Sequence, residues 1–490
     1  MGLEDRPKTL DPRWATDVYG QRIGHHLLYD PLVEHGYELE VIPALARSWE
    51  AEAPDRWRID LRPGVLFHDG HRLTADDVVA TFEHLMAEQT ASPLGAGLRE
   101  VVAQITAEGP LTVRFELRAP SPGFLETIMV PILSRPGIQA HPPGVAGAVA
   151  PPPGTGAFRW LDETPAGLRL ERFDGHFRGP AGVEFLVFDR VKDENTRLLK
   201  LRRGELDLLI NALPERTLEL FERPPWADLY RLDEAAGLGY NYLAFNFRDP
   251  VLARREVRRA IAHALDVDSL IRHRLRGHAV RSRSLLSPRN PAHDATVPLV
   301  EHDPARAREL LDSAGLPDPD GDGPAPRVTL ELKVSNDPKA VDNARAIRAQ
   351  LAEVGIAVNL RSLEWGTFYG DVTVGNFQLT SLRWIGVTDP DFYFDLYHSS
   401  RQPPLGRNRG RFADPRLDAL VESGRQTLDP ERRREIYSRV QHLVADELPY
   451  VSLWHTHDVS VVHRRVAGYR SHPKAGFQSL RHATLEPWPP

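Results

Sequence analysis

The sequence predicts an α/β protein, and the stretch from residue 303 to residue 384 carries that prediction. Two segments there, "DPARARELLDSAG" and "DPKAVDNARAIRAQLAEVG", are punctuated as helices. Three others, "RVTLELKV", "IAVNL" and "FQLTSLRW", have the composition of strands. Strand–helix–strand order over this length implies parallel pairing.

The first helix has Asp303 as cap, Pro304 in the first turn and Gly315 past the end. The second repeats that grammar with Asp337, Pro338 and Gly355. In "RVTLELKV", Val328, Leu330, Leu332 and Val334 fall on one face. "IAVNL" (356–360) follows the second helix, and "FQLTSLRW" (377–384) is the third strand. Earlier in the chain, "LTADDVVATFEHLM" starts a helix at Thr74 with Asp77 three residues on. Val78, Phe82, Leu85 and Met86 form its apolar stripe. The stretch 136–156, rich in Pro and Gly, is expected to be a long surface connection.

The 490 residues suggest two or three domains and a large core. The 42 prolines favour extended connections over helical bundles. A net charge of −7 argues against a nucleic-acid surface. With no cysteine, disulfides, thiol catalysis and thiolate metal sites are excluded. No stretch approaches the roughly 18 apolar residues of a membrane span.

Chemical motifs are sparse. "DPDGDG" (318–323) opens like a calcium loop, but its twelfth position is Thr329 rather than a bidentate Glu. A tight acidic turn before a strand is expected instead. "FHDGH" (67–71) and "HTH" (455–457) each lack the further ligands zinc needs. "GTG" (154–156) is too short for a phosphate loop, and "SHPK" (471–474) has no companion motifs. The basic clusters "ARREVRR" (253–259) and "ERRRE" (431–435) are expected to be solvated helix faces. Nothing reads as an active site, and nothing calls for a cofactor or a metal.

"RWIGVTDPDFYFDLY" (383–397) is the segment of most interest. Trp384 ends a strand, and in open α/β sheets ligands bind beyond the C-terminal strand ends. Packing between sheet and helix explains the same tryptophan, and periodicity leaves both open.

A series of segments runs along nearly the whole chain: "LDPRWATD" (10–17), "LYDPLVE" (28–34), "PALARSWE" (43–50) and the most specific, "LRPGVLFHDGHRLTADDVVATFEHL" (61–85). "GTGAFRW" (154–160), "KDENTRLLKLRRGELDL" (192–208), "YLAFNFRDP" (242–250), "VRRAIAHALDVDSLI" (257–271) and "HDPARARELLDSAGL" (302–316) follow. In kind and in order these segments resemble the extracytoplasmic solute-binding proteins of ABC transporters, in the oligopeptide/dipeptide/nickel-binding family (family 5).

The resemblance implies a two-lobed, periplasmic-binding-protein-like fold of the type II, venus-flytrap kind. Its first lobe would comprise 1–37, 154–240 and 455–490, with 38–153 as an inserted subdomain and 241–454 as the second lobe. "YNYLAFN" and "LPYVSLW" (448–454) would cross between lobes, and ligand would lie between them. It further implies a non-enzymatic, exported monomer that delivers ligand to an ABC permease, binds no nucleic acid and works at the periplasmic or outer face of the membrane. The family's first strand precedes its "LDP" motif, so a leader upstream of Met1 is expected.

In peptide-binding members, an Asp three residues after the Trp holds the peptide's ammonium group. Here that position is Val387, and Asp389-Pro390 stands one residue early. Either Asp389 takes the role or the ligand presents no free amine. The candidate ligand-binding residues are Tyr29, Asn246, Trp365, Arg383, Trp384 and Asp389. A short peptide is the expected ligand. A metal chelate, sugar or other small organic molecule is the alternative, as is a sensor role on the same fold.

Overall fold

The chain passes from one packing unit to the other within two long strands, Tyr230–Phe245 and Tyr450–His463. One unit comprises Met1–Ala235 with Asp458–Pro490, the other Ala236–His457. The structure is a computed structural model and describes residues 1–142, 150–164, 167–321 and 323–487. Part of the Pro/Gly connection, and Asp322 of the acidic turn, lie outside those residues.

In the second unit, Val328–Ser335 runs parallel to both Ile356–Leu363 and Leu379–Trp384. These are the parallel pairs that the helix–strand order predicts. Tyr240–Phe245 pairs antiparallel with Leu379–Trp384, in the register Tyr240 to Trp384. The helices Pro304–Ser313 and Pro338–Ala352 start as read, with Asp303 and Asp337 accepting from the backbone N–H groups of Arg306 and Ala340. Alternation along the strands splits this sheet into two faces. Leu243, Phe245, Leu330, Leu332 and Leu379 pack with helical Ile261 and Ile347 on one face. Tyr240, Tyr242, Val387, Tyr393, Tyr397 and Tyr450 build an aromatic core on the other, with Leu382 and Trp384 packed against it.

Two arginines correct the expectation of solvated basic faces. Arg258, on the helix Arg255–Ala264, is buried. Its guanidinium donates to Leu252 O at 3.0 Å, Ala253 O at 2.8 Å and Glu447 O at 2.8 Å, and lies 4.4 Å from the Phe247 ring centre. Arg433, on Pro430–Glu447, turns inward onto Asp389. A charge run in sequence does not reveal which member finds buried acceptors.

In the first unit, Ala46–Ala53, Arg56–Leu61, Thr112–Leu117 and Val102–Ala107 form a four-stranded antiparallel sheet. The helix Ala75–Met86 buries Val78, Phe82 and Leu85 of its predicted stripe, and Phe82 meets Phe115 of the sheet edge-on at 5.1 Å. Asp77 fastens the start of that helix. Its carboxylate accepts from Thr74 N at 2.9 Å, His71 Nε2 at 3.1 Å and Arg135 N at 2.8 Å. A second sheet orders Gly2–Leu3, Phe185–Arg190, Gly167–Arg172 and Phe158–Glu163. The "GTG" motif presses its backbone onto residues 27–29: Gly156 N donates to Leu28 O at 3.0 Å, and a Cβ on Gly154 would stand 1.9 Å from that same oxygen. Glycine here serves close backbone approach.

Candidate functional site

The C-terminal end of the second unit's parallel sheet presents a ladder of aromatic rings joined by one arginine. Trp365 opens the helix Trp365–Val374, directly after the strand Ile356–Leu363. Glu364 caps that helix, accepting from Gly366 N at 2.7 Å. One turn on, Tyr369 stacks on Trp365 with ring centres 5.3 Å apart and planes 18° from parallel. The Arg409 guanidinium follows, 5.1 Å from the Tyr369 ring and 4.6 Å from the Trp384 ring, within cation–π range of both. Trp384 in turn stacks on Tyr242 at 6.1 Å, and Tyr242 on Tyr450 at 4.3 Å. The inner rungs are buried. At the outer end Trp365 is 54% and Tyr369 40% exposed, and Ile385 beside Trp384 is 71% exposed. Large exposed apolar side chains gathered at one place mark interaction surfaces.

The short segment Asn408–Phe412 holds Arg409 in place. Asn408 is buried and uses its whole amide: Nδ2 donates to Phe412 O at 2.7 Å, and Oδ1 accepts from Phe412 N at 3.0 Å. Gly410 lies against the end of Tyr230–Phe245, where a Cβ would meet Phe245 O at 2.3 Å, and its carbonyl accepts from Phe247 N at 2.8 Å. No side chain fits at that approach, so the segment is fixed by packing. Arg409 itself is 6% exposed. Its guanidinium donates to the Tyr369 hydroxyl at 3.1 Å and meets no carboxylate among the described residues.

The carboxylates of the neighbouring segment are all engaged. Asp389 forms a two-pronged pair with Arg433, at 3.0 and 2.6 Å. Asp391 faces Arg425 at 3.2 Å and the Tyr437 hydroxyl at 3.2 Å, and burial raises its pKa. Asp395 meets Arg401 at 3.1 Å and Arg407 at 3.5 Å. Val387 is buried in the aromatic core.

Of the six candidates, Trp365 and Trp384 belong to the ladder. Arg383 is exposed but lies on the opposite face of the strand from Trp384, beside Gly239. Asn246 is buried, and its amide donates to Gly375 O at 2.9 Å and Phe377 O at 2.6 Å while accepting from Arg248 N at 3.1 Å. Tyr29, in the first unit, is buried and donates to Pro152 O at 2.7 Å. The polar groups of both side chains are thus engaged within their own unit. Sequence reasoning missed Arg409. Its one local signal is an arginine between Asn and Gly, with the nearest acidic residue, Asp414, five positions on.

Among the described residues no three His, Cys, Asp or Glu side chains group to hold a metal, and no helix is long and apolar enough to cross a membrane. His71 is taken by Asp77, and buried His455 sits with Nε2 3.2 Å from Ser284 O.

Fold and sequence together define a ligand-capturing protein. The chain belongs to the bacterial extracellular solute-binding proteins, family 5, whose model matches residues 40–403. Di/tripeptide-binding protein 2 of Pseudomonas aeruginosa (strain UCBPP-PA14) is 28% identical, aligned over 96% of this chain and 92% of its own length. Di/tripeptide-binding protein 4 of that strain is 30% identical, over 89% and 85%. The solved structure of HbpA2 from Haemophilus parasuis superposes with a TM-score of 0.88, at 24% identity, over 99% of each chain.

Proposed function

We propose that this protein is the substrate-binding component of an ABC import system, capturing a short peptide outside the cytoplasm and handing it to a membrane permease. Support for the ligand class comes from relatives named for di- and tripeptides that align along nine-tenths of the chain. The observation that carries the site is the ladder Trp365–Tyr369–Arg409–Trp384. Flat rings and a fixed cation suit a ligand of mixed apolar and polar character, read by stacking and a few polar contacts. In this reading the antiparallel sheet of residues 46–117 belongs to an inserted part of the first lobe, and the protein acts as a monomer without catalysis.

The test is a thermal-shift titration with di-, tri- and tetrapeptides. A ligand at about a hundred times its dissociation constant stabilises by roughly 2.7 kcal/mol, a readily measured rise in Tm. Stabilisation by peptides, reduced by about half in Trp365→Ala at the same peptide concentration, supports the reading. Stabilisation only by metal chelates or sugars would replace peptides with that ligand class.

A further inference from the structure

We infer that Arg409 is an anion anchor, and that the site takes its peptide by the C-terminal carboxylate without an acidic partner for the free amine. This rests on the peptide reading above and narrows it. Two independent observations converge. The first is the state of Arg409: it is 94% removed from solvent, since 6% is exposed, yet among the described residues its charge is met only by ring faces and one hydroxyl. Arg433 and Arg258, which also turn inward, have carboxylate or carbonyl acceptors. A buried cation lacking its counter-charge is costly, and a planar guanidinium matches a carboxylate through two parallel N–H donors. Asn408 and Gly410 hold the backbone on either side of Arg409.

The second observation is the absence of an available acid on segment 384–397. Position 387 is an inward-facing valine, and Asp389, Asp391 and Asp395 each face an arginine. To hold an ammonium, any of the three would have to give up that partner. A positive field at the ladder repels an ammonium and attracts a carboxylate. Arg383 adds to that field only weakly, because it projects from the opposite face.

The experiment uses one peptide in four forms, trialanine that is free, N-acetylated, C-amidated and doubly blocked, titrated calorimetrically into the full chain. Acetylation is expected to change Kd less than threefold, and amidation to weaken binding at least thirtyfold. In Arg409→Gln the amidation penalty should vanish, leaving free and amidated forms equal. A purely structural role for Arg409 would weaken all four forms alike and keep the penalty. If Arg409→Gln fails to fold by circular dichroism, Arg409→Lys keeps the charge without the fork, and a penalty cut at least threefold supports the anchor. Equal binding of free and amidated forms to the wild type overturns the anchor while leaving the peptide reading intact. Binding that is lost on acetylation overturns the unread amine. If no form binds, the peptide reading falls and this inference with it.

Discussion

Asp389 and Arg433 lock together through two hydrogen bonds, Arg433 Nη2 to Oδ1 at 2.6 Å and Nη1 to Oδ2 at 3.0 Å. The same carboxylate accepts from Asp391 N at 2.6 Å, so Asp389 ties a loop to the helix Pro430–Glu447. Removing one partner of a mostly buried pair leaves the other charge uncompensated. Asp389→Ala is therefore expected to cost about 2–4 kcal/mol in urea unfolding while leaving ligand affinity in the folded protein within a factor of two. Lost affinity at unchanged stability would put Asp389 in the ligand's reach instead.

Trp365 offers the converse test. It is half exposed and stacks only on its own helix's aromatics. Trp365→Ala should shift stability by about 0.5 kcal/mol or less, as exposed substitutions do. Peptide affinity should fall roughly tenfold, the scale of one lost stacking contact of about 1.4 kcal/mol. Trp384→Ala should lower both quantities, because Trp384 is at once a rung of the ladder and a lid on Tyr242.

Asn246→Ala should act on stability alone. The substitution orphans two carbonyls and one backbone N–H in a buried corner. Unsatisfied buried groups cost about 1–3 kcal/mol each before relaxation, so a loss of about 2–4 kcal/mol in chemical unfolding is expected. Unchanged calorimetric affinity in the surviving fold would complete the result.

Acid sensitivity follows from buried histidines, among them His455 in one unit and His472 in the other. Burial pushes His455 and His472 down from the ordinary 6.5 to about 4. Between those values the unfolded chain binds protons that the folded chain refuses. Stability is thus fully present above pH 6.5 and is lost as pH falls toward 4, each group adding up to about 1.4 kcal/mol per pH unit to the slope. Urea midpoints measured at pH 7, 6 and 5 should decline, and His455→Gln should flatten the decline. A midpoint independent of pH over that range would refute the assignment.

Much of the fold was legible because its signals are local. Asp-Pro starts, glycine stops and period-two apolar alternation lie within a few residues of one another, and they placed the parallel strands and their helices. The same local order carried the family match, and it set Trp365 and Trp384 at strand ends, where the ladder stands. Arg409 and the engagement of Asp389 were not legible. Arg409 meets Tyr369 across 40 residues, and Asp389 meets Arg433 across 44. Residue order alone specifies which segments become strands and helices and which family the chain joins. Which charges find partners is settled by the folded chain, because pairing depends on the separation of side chains in space and on the water removed around them. It paired Asp389 with Arg433 and set Arg409 among ring faces and one hydroxyl.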